Sequence, residues 1–170
     1  MSETPFTTAM TLGAVSGMRS MMAPAVIAWA ARRNGLDLES TPFSAFKGPG
    51  IGRTAAALVV GEMVADKMPF IPNRTDSTAL LARAVSGGAA GAAVFKARRQ
   101  SMLLGAVIGA AAAVGTAYAT FHLRKQAARY VQVSDRVVAL AEDGIALTAG
   151  LIAISVLKNK EAPVELPPAA

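Results

Sequence analysis

Cysteine is absent from the 170-residue sequence, and charged residues make up only 16% of it. Without cysteine the chain has no disulfide, no thiolate metal site and no cysteine nucleophile. The charged fraction lies well below the roughly 25% of an average soluble protein, so a soluble surface is not expected. The first segment has no basic residues ahead of its apolar run, and Arg19 interrupts that run, which disfavours a cleaved signal peptide.

Motifs for catalysis are absent as well. There is no glycine-rich phosphate loop, no HExxH, no GxSxG and no serine–histidine–carboxylate set. His122 is the only histidine and lies beside basic residues, so we interpret it as an interfacial side chain rather than a metal ligand. The sequence therefore predicts no enzyme activity, no metal site and no cofactor. Despite the net charge of +6, nucleic-acid binding is not expected, because no basic stretch is interleaved with aromatics.

Apolar residues, 53% of the chain, are gathered in five segments that predict helices. These segments cover residues 8–31, 54–70, 80–95, 101–121 and 137–157. About 20 apolar residues suffice to cross a bilayer, and Pro24 is expected to kink the first helix or to end a half-helix. We predict an all-α polytopic transmembrane helix bundle with about five membrane-spanning helices. The alternative is an alanine-rich soluble bundle.

Residues 1–158 are predicted to form one transmembrane domain, and residues 159–170, which contain three prolines, a disordered tail. Five crossings would place the two termini on opposite sides of the membrane. The side that holds the tail collects nine basic residues: Arg32, Arg33, Lys47, Arg53, Lys96, Arg98, Arg99, Lys158 and Lys160. The other side collects six: Lys67, Arg74, Arg124, Lys125, Arg129 and Arg136. Because basic loops favour the cytoplasm, we expect a cytoplasmic C-terminus.

Seven charged residues lie within the apolar segments, in the half of the bilayer nearer the N-terminus: Arg19, Glu62, Asp66, Lys67, Arg83, Glu142 and Asp143. Charges inside an apolar medium are costly unless they are paired. Glu62 and Asp66 are four residues apart and share one helix face. Arg19 and Arg83 are interpreted as their counter-charges, and the two adjacent carboxylates of the last helix would close the cluster.

This charged cluster has two interpretations at the level of sequence. It can form a polar pathway or ligand pocket whose carboxylates exchange protons or bind cations, with Lys67 at its mouth. It can also be a structural ion-pair network, with Lys67 extending to the interface. The cost of intramembrane charge favours the functional interpretation.

Pairs of glycines with GxxxG spacing recur in three of the predicted helices: Gly13 and Gly17, Gly87 and Gly91, and Gly105 and Gly109. Small residues at this spacing let helix backbones approach closely. We predict that these glycines pack helices together rather than line a pore.

Through a pattern formed by several of these residues, the chain resembles a family of small bacterial integral membrane proteins known only as domain of unknown function 4126. The shared pattern runs in order along nearly the whole chain: Gly17-Met18-Arg19 followed by Pro24, Glu62-x-x-x-Asp66-Lys67-x-Pro69, Arg83 followed by Gly87, and Glu142-Asp143. Ala84 departs from the family pattern, which has a proline after the third-helix arginine. The resemblance implies a multi-pass membrane protein with no established activity, and we expect it in the bacterial inner membrane.

The sequence favours a small transporter or channel-like protein, linked to protons or cations, with the charged cluster as its polar site. The alternative is a non-transporting membrane module that binds lipid or a partner helix through its glycine-lined faces. In that case the charges serve only to hold the bundle together. The expected partners are membrane lipids and further copies of the chain in a weakly held homo-oligomer, because five helices enclose little space.

Overall fold

Helices make up the regular structure of this protein. The computed structural model describes residues 3–33, 36–38, 41–65, 76–130 and 135–159. Within these ranges there are six α-helices, one 3₁₀ segment (Ser44–Lys47) and no strand. The α-helices are α1 (Glu3–Met18), α2 (Met22–Arg32), α3 (Pro49–Ala65), α4 (Ser77–Ala97), α5 (Met102–Tyr130) and α6 (Asp135–Asn159). The all-α prediction is confirmed over these ranges, and the predicted tail lies outside them apart from Asn159.

The predicted first helix, residues 8–31, is two helices with a break at Arg19, Ser20 and Met21. Pro24 lies in the first turn of α2 and not inside a continuous helix. A proline is tolerated there because the backbone N–H groups of a first helical turn have no intrahelical acceptor. The break therefore comes before Pro24, and the proline belongs to the start of the second helix.

The first helix, α1, runs parallel to α5, away from the turn that joins α4 to α5. Gly13 of α1 lies against Gly109 of α5, and Gly17, one turn later, lies against Ala113. The helix α5 starts at the α4–α5 turn, and the second of these contacts lies further along α5 than the first. The helix α1 therefore runs away from that turn. The break at the end of α1 consequently lies deep along the bundle.

The chain then comes back to the α4–α5 turn. Asp37 and Thr41, which follow α2, line a cavity of about 230 Å³ together with Lys96 and Arg99 at that turn. The helices α1 and α2 are therefore the two arms of a helical hairpin, and residues 19–21 form its tip. This pair, called the α1–α2 hairpin below, replaces the single crossing expected for residues 8–31.

The last helix, α6, extends along the second arm of the hairpin. Its Asp143 contacts Arg19 at the tip, and its Gly150 lies against Val26 of α2. Since α2 runs toward the α4–α5 turn, α6 also runs toward it and ends on the side where α1 begins. Both ends of the described bundle thus lie on one side, whereas five crossings would place them on opposite sides.

The helices differ in how much of their surface is enclosed. The closely packed part of the bundle is α1, α4 and α5, and α6 packs against α1 and α2. The buried apolar cluster includes Leu12, Ile27, Val94 and Phe95. Within the described ranges, α3 packs against α2 and the 3₁₀ segment and against no other helix. It is therefore held to the bundle mainly through the hairpin.

Three helices among the described residues are long and apolar enough to cross a membrane. They are α4 over Ser77–Ala97, α5 over Met102–Gln126 and α6 over Val137–Val156. The expectation of about five spanning helices is not confirmed. The hairpin arms α1 and α2 have 16 and 11 residues, fewer than the roughly 20 needed to span a bilayer.

Large apolar side chains are exposed on the outside of the bundle, and charged side chains are found in its interior. The side chains of Leu103, Leu81 and Val85 have 74%, 65% and 63% of their surface exposed. Arg19 and Arg83, in contrast, are only 1% and 4% exposed. Apolar surface on the outside suits contact with lipid, and paired charges are found in the interior of membrane bundles. Together with the three apolar helices, this distribution indicates a membrane-embedded protein.

Candidate functional site

The tip of the α1–α2 hairpin presents backbone amides that a carboxylate from α3 binds. The amides of Ser20 and Met21 donate to Glu62 Oε1 and Oε2 at 2.9 and 3.1 Å, and the Ser20 hydroxyl donates to Oε1 at 3.0 Å. These groups stand at the N-terminus of α2, where the helix dipole and unpaired N–H groups favour an anion. The N-cap residue itself is Met21, which has no side-chain oxygen, so Glu62 caps α2 from another helix.

Arg19 connects the hairpin tip to two further helices. It is the largest fully buried side chain among the described residues. Its Nε donates a hydrogen bond to Asp143 Oδ1 of α6. Its Nη1 lies 3.4 Å from the backbone oxygen of Glu62 in α3. Asp143 Oδ2 is buried and has no hydrogen-bond donor among the described residues. Asp143 Oδ2 is therefore an unsatisfied acceptor beside the guanidinium of Arg19.

Serine hydroxyls join the tip to α4. The Ser86 hydroxyl donates to the Ser20 carbonyl and lies 3.1 Å from the Ser16 hydroxyl. In a continuous helix the Ser20 carbonyl would accept from the N–H of residue 24, and Pro24 has no N–H. Ser86 therefore supplies a hydrogen bond that the broken helix cannot make for itself.

Arg83 of α4 binds the end of the first hairpin arm. Its Nη1 donates to the Gly17 carbonyl at 2.6 Å. Carbonyls in the last turn of a helix lack intrahelical donors and carry the negative end of the helix dipole, so a guanidinium is favourable there. The sequence interpretation placed Arg83 opposite a carboxylate, and in the structure a backbone carbonyl is one of its partners.

Glu142 binds a partner that the sequence interpretation did not include. It accepts hydrogen bonds from Arg124 Nε and Nη2 at 2.8 and 2.5 Å. Arg124 was assigned to a connection because the apolar run ends at residue 121. The helix α5 nevertheless continues to Tyr130 and carries Arg124 to the start of α6. The sequence signal for this pair was a carboxylate in the first turns of the last helix and a basic residue in the polar stretch that precedes that helix.

A cavity of about 310 Å³ lies beside this second ion pair. Its lining includes Arg124 and Glu142, together with Met18 at the end of α1 and Thr120 of α5. Met18 directly precedes Arg19, so the cavity brings open space close to the hairpin tip from the side of α5 and α6.

The predicted charged cluster is thus distributed over two neighbouring sites and one undescribed segment. Arg19, Glu62, Arg83 and Asp143 meet at the hairpin tip, and Glu142 lies next to it. Asp66 and Lys67 lie outside the described residues. No group of three or more His, Cys, Asp or Glu side chains that could hold a metal ion occurs in the described part of the chain. The tip is a network of ion pairs and hydrogen bonds drawn from α1, α2, α3, α4 and α6.

The six predicted packing glycines lie where α1, α4 and α5 meet. A methyl group added to Gly87 would come within 2.7 Å of Ala113, and one added to Gly91 or Gly109 would overlap the backbone of the facing helix. Gly13, Gly17 and Gly105 face backbone atoms at similarly short range. These contacts bring α1 close enough for Ser16 and Gly17 to reach α4, so they position the hairpin tip.

The chain is similar to known proteins at the level of family. A protein-family model matches residues 6–157, a range that contains α2, all but the first three residues of α1 and every charged partner named above. No curated protein and no solved structure matches the chain. The family match covers most of the sequence, including the hairpin tip and the glycine contacts. The chain therefore belongs to the family described as Domain of unknown function (DUF4126).

Proposed function

We propose that the protein is a small channel-like transporter that moves protons across the membrane, with the tip of the α1–α2 hairpin as its polar site. The observation that carries this proposal is the position of the Glu62 carboxylate, which accepts three hydrogen bonds from the tip. Glu62 links α3 to the N-terminus of α2 through these hydrogen bonds. A partly buried ionisable group therefore holds together two elements at the hairpin tip.

The broken backbone at the tip supports a role in transport. Irregular backbone at membrane depth is found where it is buried in protein or lines a cavity. Transporters use discontinuous helices in this way, since half-helix ends direct their dipoles toward charged groups near the middle of the bilayer. Here the half-helix N-terminus of α2 and the guanidinium of Arg19 both act on carboxylates, Glu62 and Asp143.

Proton uptake by Glu62 gives the proposed coupling. The ionised carboxylate uses both oxygens as acceptors, for the amides of Ser20 and Met21. Protonation removes the negative charge that the N-terminus of α2 favours, and one oxygen becomes a donor that faces another donor. The contact then loosens, and α3, which among the described helical segments packs against α2 and the 3₁₀ segment alone, can move. Asp143, whose Oδ2 is buried and has no donor among the described residues, is the carboxylate that would receive the proton next.

A single copy of this bundle leaves little internal space, so the proposal includes a homo-oligomer. Two spaces beside the hairpin, of about 430 and 310 Å³, open to the outside of the bundle, between helices rather than through them. Further copies would enclose these spaces.

Proton flux into liposomes that hold the purified protein tests the proposal. We expect Glu62→Gln to fold and to lower the flux about a hundredfold, because the amide keeps an acceptor for Ser20 but cannot carry a proton. Glu142→Gln is the matched control, since it makes the same change next to the tip. Flux that survives in Glu62→Gln, or that Glu142→Gln reduces equally, would contradict the assignment.

A second candidate is a membrane module that does not transport, and it too has a supporting observation. The charges at the tip have close partners, such as Asp143 for Arg19 and a helix N-terminus for Glu62, as in a structural network. Such a network would give no flux above that of empty liposomes, while Glu62→Gln would lower the unfolding temperature.

A further inference from the structure

We propose that a groove between α2, α3 and α6 binds an acyl chain of an anionic phospholipid, whose phosphate lies against arginines at the end of the groove. The groove has a volume of about 430 Å³, within the range of about 300–1,000 Å³ that is typical of ligand sites. Its lining includes Val26 and Trp29 of α2, Ala56 and Val59 of α3, and Leu147 and Leu151 of α6. The lipid site is independent of the proposed proton transport.

The wall of this groove suits a hydrocarbon chain. Every side chain that lines it is apolar, and the groove opens to the outside of the bundle. It exists because α3 contacts α2 but not α6, so the two outer helices stand apart on either side of α2. In a bilayer this opening faces lipid, and an acyl chain would fill it with apolar contacts.

One end of the groove is basic. Arg33 is one turn beyond Trp29 on α2, and its guanidinium lies 5.0 Å from the centre of the Trp29 ring. Arg53 is one turn before Ala56 on α3, so it extends the groove-lining face of that helix toward the same end. Arg32 reaches across to α3, where its Nη1 lies 3.2 Å from the position of a methyl group built on Gly52. Two arginines of α2 and one of α3 therefore lie at the same end of the groove.

These charges favour an anionic headgroup over the other occupants of an apolar groove. Guanidinium groups bind phosphate oxygens in paired, charge-assisted hydrogen bonds. Arg32, Arg33 and Arg53 are exposed at the end of the bundle where the apolar wall stops. On the connection after α2, the described carboxylate that follows these arginines in sequence is Asp37. It lines a different cavity with Lys96 and Arg99. A partner helix would fill the wall but leave the arginines unused, and a zwitterionic lipid would bring no net negative charge.

The protein carries its own reporter for this site, because Trp29 is the only tryptophan. Brominated acyl chains quench tryptophan fluorescence on contact. We would reconstitute the full chain in phosphatidylcholine and titrate in either brominated phosphatidylglycerol or brominated phosphatidylcholine. We expect half-maximal quenching at a mole fraction of phosphatidylglycerol many times lower than that of brominated phosphatidylcholine.

Substitutions then locate the headgroup and the chain. Arg32→Gln and Arg53→Gln are each expected to lower the preference for phosphatidylglycerol about fivefold, the usual effect of one basic residue near an anionic surface. The double variant Lys96→Gln with Arg99→Gln removes two charges at the same end of the bundle but away from the groove, and it should keep the preference. Ala56→Phe fills the groove and should reduce quenching by both lipids, whereas Ala57→Phe, on the exposed face of α3 outside the groove, should not.

Two results would overturn the lipid site. One is equal quenching of the unsubstituted protein by the two brominated lipids, which would mean only general contact with the bilayer. The other is an equal loss of preference in the Lys96→Gln, Arg99→Gln control, which would mean attraction to the whole end of the bundle rather than binding at the groove.

Discussion

Arg19 and Asp143 form the most deeply buried ion pair described in this chain, with side chains 1% and 5% exposed. Removing one partner of such a pair leaves an uncompensated charge in the interior, at a cost of about 3–5 kcal/mol. We therefore expect Asp143→Ala to lower the free energy of unfolding by about that amount, measured by thermal denaturation in mild detergent.

The neighbouring pair is the control for this substitution. Arg124 is 17% exposed, so after Glu142→Ala its guanidinium can extend toward the membrane surface. The loss of stability should then be smaller than for Asp143→Ala. An equal loss in the two variants would show that burial does not set the strength of these pairs. Replacing both partners of the buried pair, as Arg19→Met with Asp143→Leu, should restore much of the stability.

Individual charges could be predicted from the sequence, but their partners could not. A charge within an apolar segment is conspicuous, and Arg19, Glu62 and Asp143 were identified for that reason. Their pairing depends on where the backbone breaks. Glu62 binds amides that exist as free donors only because α2 starts again at Met22, which hydropathy does not reveal. Arg124 was missed because it lies past the end of an apolar run.

At the scale of helices, the contact of α4 with α5 depends on the absence of side chains. A methyl group added to Gly109 would overlap the Gly87 carbonyl and come within 3.2 Å of the Gly91 amide nitrogen, and backbone atoms cannot move aside cheaply. We expect Gly109→Ala to destabilise the protein by about 1–3 kcal/mol, as overpacking does, measured as a lower unfolding temperature.

Gly115, on the same helix, provides a matched comparison. A methyl group added there meets nothing within 4 Å. Gly115→Ala should therefore be neutral or stabilising by up to about 1 kcal/mol, because alanine is the better helix former. If both alanine variants lost stability, helix propensity or lipid contact rather than close packing would explain the effect.

The α1–α2 hairpin marks the limit of prediction for an element. Residues 8–31 are long enough and apolar enough for one crossing, and periodicity carries no information about reversal of direction. Pro24 did indicate a break, although the break lies ahead of it, at residues 19–21. The return of the second arm depends on tertiary structure, such as the cavity that Asp37 and Thr41 line together with the end of α4.

At the scale of the whole molecule, four charged side chains among the described residues are buried and many large apolar ones are exposed. Composition alone predicted a membrane protein, because a chain with few charged and many apolar residues must leave apolar side chains on its surface. The number of crossings was harder to predict, since it depends on whether each short apolar segment crosses or returns. Three helices meet the length requirement in the described residues, and the hairpin accounts for the segment that the sequence suggested as a first span.

The hairpin also determines the side on which the N-terminus lies. The chain has no native cysteine, so single cysteines can be placed at will: one ahead of Met1, one at Ser44→Cys in the 3₁₀ segment and one at Asp76→Cys before α4. Gln100→Cys, in the α4–α5 turn, identifies the side of the membrane on which α1 begins and α2 ends.

The most direct test is labelling of these variants in sealed vesicles by a maleimide that cannot cross the membrane. If α1 and α2 form a hairpin, the N-terminal cysteine reacts from the same side as Ser44→Cys and Gln100→Cys, and Asp76→Cys reacts from the other. If residues 8–31 cross the membrane once, the N-terminal cysteine reacts together with Asp76→Cys. That result would remove the hairpin tip from the membrane interior, and the proposed proton site with it.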